Sequence, residues 1–197
     1  MTFLEQHQLI YGLGVNVGDF WQWAYSDILS NRNRSIFAEY MVGVALGVVT
    51  KPSVEWDSVD LEYQDYKIEV KSSAYWQSWQ QEKRSKISFS VRKAVFWNVE
   101  TGKYQGETTR CAHAYVFCHY AELDKTKVNV LDISPWDFYV ISTGELDHEF
   151  GEAKSISLKS VRKMARPCKF GELKATVDSV RQEHPCPQAA QGTPGDV

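Results

Sequence analysis

A chain of 197 residues and 22.6 kDa, with 43 % hydrophobic and 24 % charged residues, is long enough to bury a core. Its composition is that of a globular domain and argues against disorder. The balance of 25 acidic against 22 basic residues, net charge −3, excludes a histone-like coat protein and leaves room for a local basic surface.

The chain order predicts the following elements. Residues 1–19 are turn-rich, with Gly12, Gly14 and Gly18. A helix is predicted over 19–30, capped by Asp19, with apolar residues at 21, 24, 25, 28 and 29 on one face. Asn31 to Arg34 read as a polar break. A second helix, Ser35 to Leu46, is apolar almost all round with Glu39 as its one charge, so it is expected inside the fold. Pro52 marks a linker. Residues 58–63 and 66–71 alternate polar and apolar around Gln64-Asp65, which predicts a β-hairpin with a two-residue turn. A helix from Ala74 to Arg84, capped by Ser72 or Ser73, is predicted next, then a strand over 86–91. Residues 92–111 give only a turn candidate at Thr101-Gly102-Lys103. Strands are predicted at 112–118 and 137–142, and helices at 157–164 and 171–183 on either side of Pro167. Residues 1–184 are expected to form one domain, with 185–197 a disordered tail.

No run of about 18 apolar residues crosses a membrane, and Glu5 stands where a signal peptide is basic, so a cytoplasmic location is expected. Cys111, Cys118, Cys168 and Cys186 form no CxxC pair, and reduced thiols are expected. Cys118-His119 is no nucleophile–base pair, because neighbours on a strand point to opposite faces. The five histidines contain no HxH or HxxxH pair, and Gly12-x-Gly14-x3-Gly18 lacks the setting of a phosphate loop.

The hairpin register follows from its turn. With Gln64-Asp65 as the loop, Glu62 faces Lys67, Leu61 faces Ile68, and Asp60 faces Glu69. Leu61, Tyr63, Tyr66, Ile68 and Val70 then share one face, and Asp60, Glu62, Lys67, Glu69 and Lys71 the other. Two opposed carboxylates destabilise a sheet unless something positive lies between them. A divalent cation held by one or two carboxylates removes the conflict, and Lys71 stands two residues from Glu69 to orient or deprotonate a water. The register also selects Asp60 over Asp57, which falls on the apolar side.

The combination Asp60-x8-Glu69-Val70-Lys71 on a hairpin, preceded by a helix bearing Glu39, resembles the PD-(D/E)XK nuclease superfamily, with Val59 in place of its proline. The resemblance spans about Ser35 to Cys118. It implies an α/β fold with a restriction-endonuclease-like αβββαβ core, a mixed central sheet flanked by helices. It also implies a metal-dependent endodeoxyribonuclease of the restriction, defence or repair type. Mg²⁺, with Mn²⁺ as substitute, would be held by Asp60, Glu69, the Val70 carbonyl and Glu39. Lys71 would act on the attacking water, and Gln77, on the first turns of the next helix, would hold that water or a phosphate. DNA is the implied partner, and the resemblance allows a homodimer cutting both strands.

Ser72 and Ser73 can donate to phosphate, or simply cap the following helix. Lys83, Arg84, Lys86, Arg92 and Lys93 place five basic residues within eleven positions, flanked by Trp76, Trp79 and Trp97, a pattern suited to DNA contact or to a solvated face. Alternatives stay open on the sequence alone. Asp60, Glu69 and Lys71 could form a salt-bridged surface, and Glu39 could pair with Arg32 or Arg34. The domain could be an inactive nuclease-like module binding DNA or a protein, or a metal-independent RNA-processing nuclease.

Overall fold

A computed structural model describes residues 2–54, 59–98 and 103–186. In chain order the elements are β1 (Leu9–Ile10), β2 (Val15–Asn16), α1 (Val17–Tyr25), α2 (Asn31–Leu46), β3 (Leu61–Tyr63), β4 (Tyr66–Ala74), β5 (Ser88–Ser90), β6 (Ala94–Asn98), β7 (Lys103–Thr109), β8 (Ala114–Tyr120), β9 (Trp136–Ser142), α3 (Thr143–Phe150), β10 (Ser155–Ser157), α4 (Leu158–Met164) and α5 (Phe170–Glu183). The architecture is mixed α/β, with five helices among the described residues. None of these helices is long and apolar enough to cross a membrane.

A four-stranded sheet, ordered β3-β4-β8-β9, organises the molecule. β4 and β8 pair in parallel, and the outer pairs are antiparallel. α2 and α5 cover one face, packing Ala38, Met41, Val42, Leu173 and Val177 onto Ile68, Val70, Val116 and Phe138. β5, β10, α3 and α4 cover the other, packing Phe89, Ile156, Leu146 and Val161 onto Tyr115, Phe117 and Ile141. β8 is buried along its whole length, as a central strand with both faces covered must be.

The hairpin forms with the predicted turn and register: Leu61↔Ile68, Glu62↔Lys67 and Tyr63↔Tyr66 are paired. Gln64 and Asp65 both take positive φ, 50° and 65°, the two left-handed residues that a type I′ turn demands. Of the predicted apolar face, Tyr63, Tyr66, Ile68 and Val70 are buried, Tyr66 and Ile68 completely, and Leu61 is half-buried.

Several expectations are corrected. The helix expected over 74–84 is absent; Ser72 and Ser73 lie inside β4, and bends and turns follow it. The Gln77 N–H donates to the Gln81 side chain at 2.5 Å, and Ser85 N–H closes a loop onto the Tyr75 carbonyl at 2.8 Å. These bonds take the groups a helix would have used. The connection from β4 to β8 thus runs through β5, β6 and β7, not through the helix of an αβββαβ core. The polar break at 31–34 is instead the first turn of α2, because Ser30 caps it by accepting from Asn33 N–H. α2 is also not wholly interior: Ile36, Tyr40 and Val44 form an exposed stripe. α1 ends at Tyr25, five residues early. α3, starting on a Ser142–Glu145 capping box, was not predicted from its largely polar sequence. Asp57, Thr101-Gly102 and residues 187–197 lie outside the described residues.

Candidate active site

The site assembles where β3 stops. β3 pairs only with the first part of β4, so its ladder ends at Leu61↔Ile68 and Asp60 is no longer a backbone partner of Glu69. Instead the Asp60 carboxylate takes over, accepting the Val70 N–H at 2.7 Å. A residue's N–H and C=O point to the same side of its strand. The Val70 carbonyl therefore faces the same edge as Asp60.

Glu69 and Lys71 alternate with Val70 and project from the opposite face to Ile68 and Val70. The Lys71 ammonium donates to Glu69 Oε1 at 2.5 Å and lies 4.0 Å from Asp60 Oδ2. All three side chains are between 22 % and 30 % exposed, open enough for a substrate to reach. Ser35 on α2 meets Ser72 on β4, Oγ to Oγ at 3.3 Å, tying the helix that bears Glu39 to the strand that bears Glu69.

The electrostatics show a surplus of acid. Burial, then the neighbouring Glu69 charge, pushes Asp60 up to about 6, against the pull of Lys71 and the Val70 N–H. Burial, then Asp60, pushes Glu39 up to about 7. Burial pulls Lys71 down, but Glu69, Asp60 and Glu39 together hold it above its ordinary value. Three carboxylates thus share one ammonium. Arg34 does not answer Glu39, since its guanidinium is engaged by Leu29 O, Gln77 Oε1 and Asn31 Oδ1. Among the described residues no salt bridge includes Glu39. Glu39 and Asp60 line a cleft of about 600 Å³ between α2 and residues 47–54.

Comparison with known protein families, with characterised proteins and with solved structures finds no match. The chemistry of the site therefore rests on its own geometry.

Asp60, Glu69, Lys71 and Glu39 are brought together. Among the described residues no three His, Cys, Asp or Glu side chains are gathered closely enough to hold a metal ion as they stand. Gln77 is not presented to the carboxylates: it is buried, donating to the Ala74 carbonyl at 2.9 Å and accepting from Arg34. Ser73 is buried too. The basic run divides. Lys83, Arg84 and Lys86 line an open groove, Arg92 is exposed, and Lys93 pairs with Glu152 at 2.6 Å. The side chain of Trp97 lies outside the described residues. Sequence reasoning missed two contributors. Arg110 is buried and holds Asp147, Val91 O and Gly151 O, an anchor no motif announces. Lys159 joins the groove from α4. Cys118 is buried with its thiol pushed well up by burial, as expected of an inert cysteine.

Proposed function

We propose that this chain is a metal-dependent endodeoxyribonuclease of the PD-(D/E)XK type, with the helix after the catalytic strand replaced by β5 to β7. One observation carries the reading: Asp60 and Glu69 share the Lys71 ammonium at the open edge of a β-hairpin. The donor set supports a hard divalent cation such as Mg²⁺. It is all oxygen, from Asp60, Glu69 and the Val70 carbonyl, with Glu39 near and the acids in excess over Lys71. When bound, such an ion would polarise the phosphodiester and neutralise charge on it.

The chain's own groups supply the rest. Asp60 is fixed by the Val70 N–H, so its second oxygen is aimed without a search over rotamers. Lys71, held above its ordinary value, stays an ammonium at neutral pH. It orients the attacking water and offsets the charge that builds on phosphate; it does not strip the proton, a narrowing of the role expected from sequence. Nicking of supercoiled plasmid in Mg²⁺, lost with chelator and lost in Lys71→Met, is the expected result. Cleavage that ignores chelator would favour a metal-independent nuclease. DNA binding with no cleavage in Mg²⁺ or Mn²⁺ would favour an inactive module.

A further inference from the structure

An open groove of about 910 Å³ begins four residues beyond Lys71. Its walls include Tyr75, Trp76, Lys83, Arg84 and Lys86 from the loop after β4, and Lys159 from α4. Lys83, Arg84 and Lys159 are exposed. Glu82 is the one acid among the described lining residues. The positive groove therefore contrasts with the net charge of −3 on the whole chain.

The aromatic residues are placed with the cations. The Arg84 guanidinium lies over the Tyr75 ring, 5.8 Å from its centroid. Lys125 lies over Trp76 at 5.6 Å. Both rings remain partly exposed. A duplex offers a protein surface its phosphates and hides the faces of its bases, so cations alone would serve it. Rings alternating with cations suit unpaired bases, each stacking on an aromatic while its phosphate meets the adjacent charge.

The groove lies close to the site along β4, with buried Ser73 between Lys71 and Tyr75. Glu69, Lys71 and Ser73 project from one face of β4, and Tyr75 follows on that side, packed against the core cluster that includes Tyr115 and Phe117. Four extended residues span about 13 Å. We propose that this groove binds an unpaired polynucleotide strand running out from the Asp60–Glu69–Lys71 site. The proposal rests on the nuclease reading only in taking that strand for the substrate.

The test is fluorescence anisotropy with labelled oligo-dT, oligo-rU and a duplex of equal length, all in EDTA so that nothing is cut. The expected result is a single strand bound about tenfold or more tighter than the duplex, the dT and rU arms telling DNA from RNA. Trp76→Leu should weaken single-strand binding about tenfold and leave the duplex unchanged. Lys86→Glu with Lys159→Glu should weaken both and lower the salt slope by about two. Equal affinity for strand and duplex, or undiminished single-strand binding in folded Trp76→Leu, overturns the proposal. If Trp76→Leu fails to fold, the emission of the wild-type tryptophans is titrated with oligo-dT instead, and the absence of any quenching overturns the proposal. Cleavage without single-strand preference disproves the groove alone; single-strand preference without cleavage disproves the nuclease reading alone.

Discussion

Asp60 has two roles that substitution can separate. It is the candidate catalytic acid, and it stands in for the missing strand by accepting the buried Val70 N–H. Its rise from 3.8 to about 6 means that its charge costs about 3 kcal/mol of folding free energy at neutral pH without metal. The sign follows from proton counting. Between about pH 4 and 6 the folded state holds the proton more tightly, so stability is full below the unfolded value and falls as pH rises through the folded one. Asp60→Asn keeps an acceptor for Val70 and removes the charge. It should therefore stabilise the metal-free protein by roughly 2–3 kcal/mol at neutral pH, a rise of about 4–10 °C in Tm. The gain should vanish below about pH 4, where wild-type Asp60 is protonated too. Asp60→Ala removes the acceptor as well and should melt below Asp60→Asn by the equivalent of about 1–3 kcal/mol, since a buried N–H is left unmet. Both variants should lose cleavage. Thermal melts from about pH 4 to 8 in EDTA read all of this, taking reference values near 4 for a free carboxyl. A stability gain in Asp60→Asn that ignores pH, or Ala and Asn melting together, would refute the argument.

Lys71→Met removes the one cation among the acids. Its metal-free melting temperature should fall while Mg²⁺ restores it, so the Mg²⁺-induced rise should exceed that of the wild type in a melting titration. Glu39→Gln removes a carboxylate that burial, and then repulsion from Asp60, raises to about 7. It should melt higher than wild type in EDTA at pH ~8 and respond less to Mg²⁺. His119 is wholly buried, neither ring nitrogen has a hydrogen-bond partner among the described residues although Asp137 stands 3.9 Å from Nδ1, and burial pulls it down to about 4 against that charge. The unfolded state binds the proton first, so His119 destabilises the fold increasingly as pH falls from about 6.5 toward 4. His119→Phe should thus gain roughly 2 kcal/mol over wild type at pH ~5 relative to their difference at pH ~8, measured by urea unfolding.

The hairpin was legible because its signals are local. Period-two alternation fixed the faces, and the two-residue turn fixed the register of Leu61, Glu62 and Tyr63. Asp60, Glu69 and Lys71 fall within twelve residues, so that register alone brought them to one edge. What escaped depends on distant chain. The segment after β4 has helix-compatible residues, but Gln77 is held by Arg34 and the loop is closed from Ser85 to Tyr75. No local pattern records those contacts. The Asp60–Glu69 pairing failed by one step because a side chain can accept what a strand would have accepted. Lys159 reaches the groove only through the packing of α4 beneath the sheet, and its own neighbourhood in sequence is unremarkable.

The parallel pairing of β4 with β8 has a kinetic consequence. These strands are joined by residues 75–113, so closing their ladder means closing a loop of that length. Loop-closure entropy delays such non-local pairing, whereas an isolated hairpin closes in about 1–10 μs. Asp60 and Lys71 flank the fast-closing hairpin, Asp60 tied across it by the Val70 N–H, and the wall that packs beside Glu69 arrives with Tyr115 on β8. Refolding should therefore assemble the acids early, on a surface still open to solvent. Their mutual repulsion then acts on the hairpin before the central sheet can hold it, and added divalent cation should speed the refolding phase as well as raise the final stability.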